Sequence, residues 1–486
     1  MESFSVIQIL KTFTKEEVKE FDKFTGNSYF GGSEYIAKFW RAIRPFYPEF
    51  KRDDIQKEKL FKELYPGKAF NDATIRKLSS ELLKVCEEFI KVVELKKTKI
   101  GERFLARRFR NSQLLKQYES KWNEIVEYYE GESNFDFINL IERHLLQIPQ
   151  IQFKADKKDI NGIFSERMKY YEYILVYNLV ILMQEKTRRY ISNEVYDVKK
   201  KNIAEEFFTM VDIELFIEKY TKEYSEFNDL ILFNYHIMMA FGAPESIEHF
   251  YSAKKIIFRN SSIIPPKPLF LYCTMLINYC LKMKGMNMKS IPEYYNEAVE
   301  VFSMMQKKNI IIEPGTNFIS PSLFTVAMLA YCTVKDFKGA ERFVKKFSSS
   351  LTADSREALE KQAKYYIYFY SGEFEKALDI LIKLEQVNYF DRINYRREKL
   401  IIFYELKMYE QMSSLIHSLQ QFVAENKMLS PNVKNNTKLF LKFSKMLLKA
   451  VESRKTKDIE ELTFSLSKEK KYFEHKSWLE EKVSEL

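Results

Sequence analysis

The chain has 486 residues, 46% of them hydrophobic, with only 12 Gly and 12 Pro. That length exceeds one compact core, and so few turn formers exclude a β-rich fold, so the composition predicts an all-α protein. The net charge of +10, from 78 basic and 68 acidic residues, has both signs interspersed; this permits an acidic partner without requiring one.

The first stretch, 1–95, reads as an N-terminal helical module. Thr14-Lys15-Glu16-Glu17 is a capping-box signature, with Thr14 bonding the N3 amide and Glu17 reaching back. Val18, Phe21 and Phe24 then share a face. Gly26-Asn27 and Gly31-Gly32 mark a loop, a second helix spans about 33–44 and stops at Pro45, and a third spans about 56–65 before Pro66-Gly67. Asn71 or Asp72 caps a fourth helix carrying Ile75, Leu78, Leu82, Cys86, Phe89 and Val93 at three-and-four spacing.

Residues 96–200 read as a basic linker and long connecting helices. Between 96 and 110 lie Lys96, Lys97, Lys99, Arg103, Arg107, Arg108 and Arg110 against one acid, Glu102. Gly101 marks a hinge here, leading into one helix over 104–129. A helix over 135–147, a polar loop over 149–160 and a long apolar helix over 164–190, expected to be buried on most sides, complete the segment.

From 201 to 450 the pattern is one of repeated helical hairpins, with 451–486 as capping helices carrying Leu462, Leu466, Phe473, Trp478 and Leu479. The clearest hairpin covers 354–386. Tyr365, Tyr366 and Phe369 line its first helix, Gly372-Glu373-Phe374 makes the turn, and Ala377, Leu381 and Leu384 line the second. This unit resembles the tetratricopeptide (TPR) repeat: Gly allows the tight turn, Ala377 lets two helices approach closely, and the aromatic fills the gap beside it. The layout recurs around Ala298, Ala340 and Met412, at intervals of 42, 37 and 35 residues along the chain. The resemblance covers about 290–424. It implies a TPR-like α-solenoid following the N-terminal module. In the 354–386 unit Lys361 and Lys364 fall where the consensus has core residues, so the first helix is expected to be slipped by one.

The whole chain also resembles a group of uncharacterised bacterial all-helical proteins, through Phe21-Asp22-Lys23-Phe24, Ser28-Tyr29-Phe30, the run from Lys59 to Lys68, and Asn71-Asp72, followed by an amphipathic helix. That resemblance implies fold and family but no activity.

Catalytic and cofactor chemistry finds no motif. Five histidines (His144, His236, His249, His417, His475) form no HExxH, HxH or Cys–His spacing, and Cys86, Cys273, Cys280 and Cys332 form no CxxC. No Gly-rich phosphate loop occurs, and paired acids such as Glu87-Glu88 sit on Lys-rich helix faces. The expectation is a non-enzyme without cofactor or metal. No signal-like apolar run follows Met1, and the longest apolar runs, 173–183 and 269–281, fall short of the ~20 residues a membrane span needs. The chain is therefore expected to be cytoplasmic.

The function expected is a non-catalytic scaffold binding a protein or peptide partner. Tyr366, Tyr370, Arg397 and Tyr404 are placed near a concave face, because Tyr and Arg dominate binding hot spots. The alternative is a nucleic-acid-associated regulator using the N-terminal module or the 96–110 stretch. A helix-turn-helix reading of 56–93 is weakened by a six-residue connection and by a second helix whose four basic residues face four acidic ones.

Overall fold

The structure, a computed structural model, describes the chain except residues 1–3, 52–53, 196–202, 224–225, 244–246, 285–290, 385–388, 427–428, 430 and 472. The described residues are all-α, with no strand, and divide into two compact units, Met1–Tyr129 and Glu130–Leu486.

The first unit begins with α1 (Ser5–Leu10), α2 (Lys15–Phe24), α3 (Glu34–Ile43), α4 (Lys57–Leu64) and α5 (Asp72–Lys96). The Thr14 hydroxyl accepts from the Glu17 amide and the Glu17 carboxylate from the Thr14 amide, so the capping box forms as expected. Ser33 caps α3 and Asn71 caps α5. Each of α1–α4 packs on α5. On the apolar stripe of α5, Ile75, Leu82, Val85 and Cys86 are wholly buried. That face is spent on the core, and burial pushes the Cys86 thiol up, out of reactive range. Rings of Phe13, Trp40 and Phe89 lie 5.1–5.3 Å from Phe21, and the Trp40 indole N–H donates to Asp22 Oδ1 at 2.6 Å.

The unit continues through α6 (Ile100–Asn111) and into α7 (Leu115–Gly131), where the sequence predicts a single helix over 104–129. The break is a left-handed residue, Gln113, at φ 60. Its amide bonds Arg110 O at 3.0 Å and the Leu114 amide bonds Phe109 O at 2.9 Å, which closes α6 as a Schellman turn. Neither Gly nor Pro announces it. Gly101, expected at a hinge, lies in the first turn of α6.

The second unit opens with α8 (Phe137–Asp156) and α9 (Ile160–Val195), packed on each other as a hairpin. The polar loop predicted at 149–160 is mostly helix: α8 runs through Pro149 to Asp156. Packing along α9 outweighs the hydrogen bond a helix loses at Pro. Nor is α9 buried on most sides, because Ile160, Phe164, Met168 and Tyr171 are each more than 60% exposed.

Then come α10 (Ile203–Met210), α11 (Ile213–Glu223), α12 (Asn228–Gly242), α13 (Ile247–Asn260), α14 (Pro266–Lys284) and α15 (Ile291–Lys307). These are followed by α16 (Pro321–Thr333), α17 (Phe337–Phe347), α18 (Ala353–Ser371), α19 (Phe374–Leu384), α20 (Tyr389–Glu405) and α21 (Tyr409–Glu425). The last helices are α22 (Pro431–Ser453), α23 (Thr456–Lys468) and α24 (Lys476–Ser484). From α11 to α24 each helix packs on its successor in the chain; α16 also packs on α18, and α22 on α9 and α24.

Three alternate turns share one backbone design. Lys335, Gly372 and Lys407 stand at φ 60, 82 and 59 after α16, α18 and α20. The next amide (Asp336, Glu373, Met408) reaches back five residues to the carbonyl of Tyr331, Tyr368 or Phe403 at 2.7–2.9 Å. An aromatic opens the following helix each time (Phe337, Phe374, Tyr409), and Ala340, Ala377 or Met412 is wholly buried three residues on. In α18 Lys361 and Lys364 are exposed, while Gln362, Ala363, Tyr365 and Tyr366 are buried.

Candidate functional site: a cleft along alternate helices

A cleft of about 680 Å³ runs along the N-terminal halves of α16 and α18 and reaches α20. Helical spacing builds it. Pro321, Ser322, Thr325 and Val326 share one face of α16, and Asp354, Ser355, Ala358, Leu359 and Gln362 share one face of α18. Ser320, Leu384 and Tyr395 complete the lining. Three polar side chains tie the wall together. The Thr325 hydroxyl donates to Gln362 Oε1 at 2.8 Å, and the Gln362 amide donates to the Tyr395 hydroxyl oxygen at 2.6 Å. Gln362 and Tyr395 are buried, so each bond forms where an unmet polar atom costs most. One turn along, the buried Tyr365 hydroxyl donates to Glu398 Oε2 at 2.6 Å; burial first, then that carboxylate, holds the phenol well above its usual range. Among the described residues Asp354 is the sole charged residue of the lining, so the described part of the cleft suits an uncharged, apolar-rich segment.

The residues expected near the binding face lie elsewhere. Tyr366 is buried and Tyr370 half-buried, their rings 6.5 Å apart. Arg397 is 4% exposed, ion-paired with Glu474 and donating to Asn394 Oδ1 at 2.5 Å. Tyr404 meets the Trp478 ring edge-on at 5.3 Å, and burial pushes its hydroxyl up to about 12. Trp478 Nε1 and Lys482 Nζ both reach Glu405, at 2.7 and 3.2 Å. Arg397 and Tyr404 therefore hold α20 against the C-terminal segment, whereas the expectation had them facing a partner. The register of α20 turns them that way. Thr325, Gln362 and Tyr395 escaped the sequence reading. The available signal was a Gln set at core spacing among Ala358, Tyr365 and Phe369.

The basic stretch is only partly free. Lys97 pairs with Glu94 at 2.6 Å, and Lys99 with Glu124 at 3.3 Å while sitting over the Tyr128 ring. Arg103 and Arg110 are half-buried and engaged. Lys96, Arg107 and Arg108 are exposed, with Arg107 over the Phe104 ring at 5.3 Å.

Two histidines meet: His236 and His249 lie Nδ1 to Nδ1 at 2.9 Å across α12 and α13. Among the described residues no group of three or more His, Cys, Asp or Glu side chains is placed to hold a metal ion, and no helix is long and apolar enough to cross a membrane. No protein-family model, curated protein or solved structure matches the chain.

Proposed function

We propose that the chain is a non-catalytic helical-repeat scaffold of the cytoplasm, whose TPR-like hairpins stack as an α-solenoid and bind an extended protein segment in the cleft along α16, α18 and α20. The recurring left-handed turn, aromatic and small buried residue support the repeat reading, because paired rods need that set of shapes to nest against the next pair. Four buried, unpaired thiols suit a reducing compartment. The observation that carries the functional reading is the series Thr325–Gln362–Tyr395. One residue from each of three alternate helices is bonded to the next along an open, mostly apolar trough. Such a wall is rigid before any partner arrives, which lowers the ordering cost of binding.

The test is selection of peptides from a random library against the full chain, followed by affinity measurement on Ala358→Trp. That indole fills the trough one turn from Gln362, and an unchanged circular-dichroism melt confirms that the wall still folds. Selected peptides should lose at least tenfold in affinity. Equal binding to wild type and variant would remove the cleft from the mechanism.

A further inference from the structure

The outer face of α6 combines two features that seldom share an exposed helix. Phe104 is 57% exposed and Leu105 40%, and the turn that follows shows Leu114 at 43% and Leu115 at 45%. Arg108 lies one turn from Phe104 and Arg107 stacks beside it, both exposed and without an ion pair among the described residues. The wholly buried Ala106 docks the opposite side of the helix, and α6 packs on α5, so the outward face is held in place. Lys96 and Lys116, also exposed, flank it without an ion pair among the described residues. The acids nearby are occupied: Glu94 by Lys97, Glu102 by Lys121, and Glu124 by Lys99 and Lys121.

We infer that this face of α6, with the Leu114–Leu115 turn, is a docking surface for an anionic lipid bilayer. Charge complementarity selects an anionic occupant, since Arg107 and Arg108 on this face, with Lys96 and Lys116 beside it, are all positive. The apolar side chains select among anions. A nucleic-acid backbone offers phosphates in water and gives Leu105, Leu114 and Leu115 nothing to enter. A bilayer surface takes both kinds of group at once: Phe and Leu sink to the headgroup boundary while guanidinium groups meet the lipid phosphates and carboxylates. The surface is distinct from the peptide cleft and stands or falls without it.

Vesicle flotation with the full chain tests the inference, using phosphatidylcholine vesicles with and without phosphatidylserine. The wild type should float with the phosphatidylserine vesicles and not with the neutral ones. Arg107→Gln with Arg108→Gln should lower partitioning about 30-fold, two charges each worth about 1 kcal/mol at the surface. Phe104→Ser with Leu105→Ser should lower it about tenfold or more, with the circular-dichroism melt unchanged in both variants. Two outcomes overturn the proposal. One is no flotation with phosphatidylserine at low salt. The other is a variant carrying Phe104→Ser and Leu105→Ser that floats like wild type, which assigns the cations to plain electrostatics.

Discussion

The two compact units use helices in opposite ways. In Met1–Tyr129 one helix, α5, collects α1, α2, α3 and α4 around itself, so residues as distant as Phe13 and Phe89 meet at 5.4 Å. In Glu130–Leu486 packing passes from each helix to the next over α11–α24, with α9 held against α8, α12 and α22, and the strongest design feature is a turn, aromatic and small or slim buried residue used together three times. A hub concentrates stability in a few side chains. A chain of neighbours spreads it over many similar joints, none of which is indispensable alone.

That contrast breaks most sharply at Trp40, wholly buried beside Phe21 and bonded to Asp22. Trp40→Ala should cost about 3–5 kcal/mol, and denaturant melts should show loss concentrated in Met1–Tyr129. A uniform loss across both units would contradict the hub. Next is Arg397→Ala, which removes the buried half of the ion pair with Glu474 and should cost about 2 kcal/mol. An unchanged urea midpoint would return Arg397 to the list of binding residues. Smaller again is a paired test of the turn. Gly372→Ala should destabilise by about 1 kcal/mol from φ alone, since a Cβ there meets nothing within 4 Å, while Lys335→Gly should be neutral or slightly stabilising. Equal melting shifts of the same sign would deny the two turns a common design.

The mildest perturbation is acid. Burial, and then the charge of His249, hold His236 at about 4, below the ordinary 6.5. The unfolded chain takes up this proton first, so the stability it contributes is complete above pH 6.5 and is lost as the pH falls toward about 4. Melting temperature should drop modestly between pH 7 and 5.5, where only the top of that window is crossed. His236→Phe should flatten the drop; an unflattened profile would place the titration elsewhere.

Much of the local structure could be read beforehand, because its causes are local. Thr14 and Glu17 cap α2 through bonds three residues apart, Asn71 caps α5 the same way, and Gly372 can take φ 82 without a Cβ clash. The exposed side of α18 was visible in Lys361 and Lys364. Other features depend on distant atoms. The Gln113 turn has no breaker residue, and Pro149 stays helical because α9 packs along α8. The sequence also leaves open which face of α20 is covered, and the C-terminal segment decides it by taking Arg397, Tyr404 and Glu405.

By itself, then, the order of residues determined that this chain is helical, where most helices start, and that Gly372 makes a tight turn between two of them. Those are matters of hydrogen bonds and steric limits within a few residues. Tertiary structure alone decided which side chains face outward: Gln362 into a shared wall, Arg397 into a joint, Phe104 and Leu105 into solvent. Helical periodicity defines faces, but only a neighbouring helix can say which face is covered.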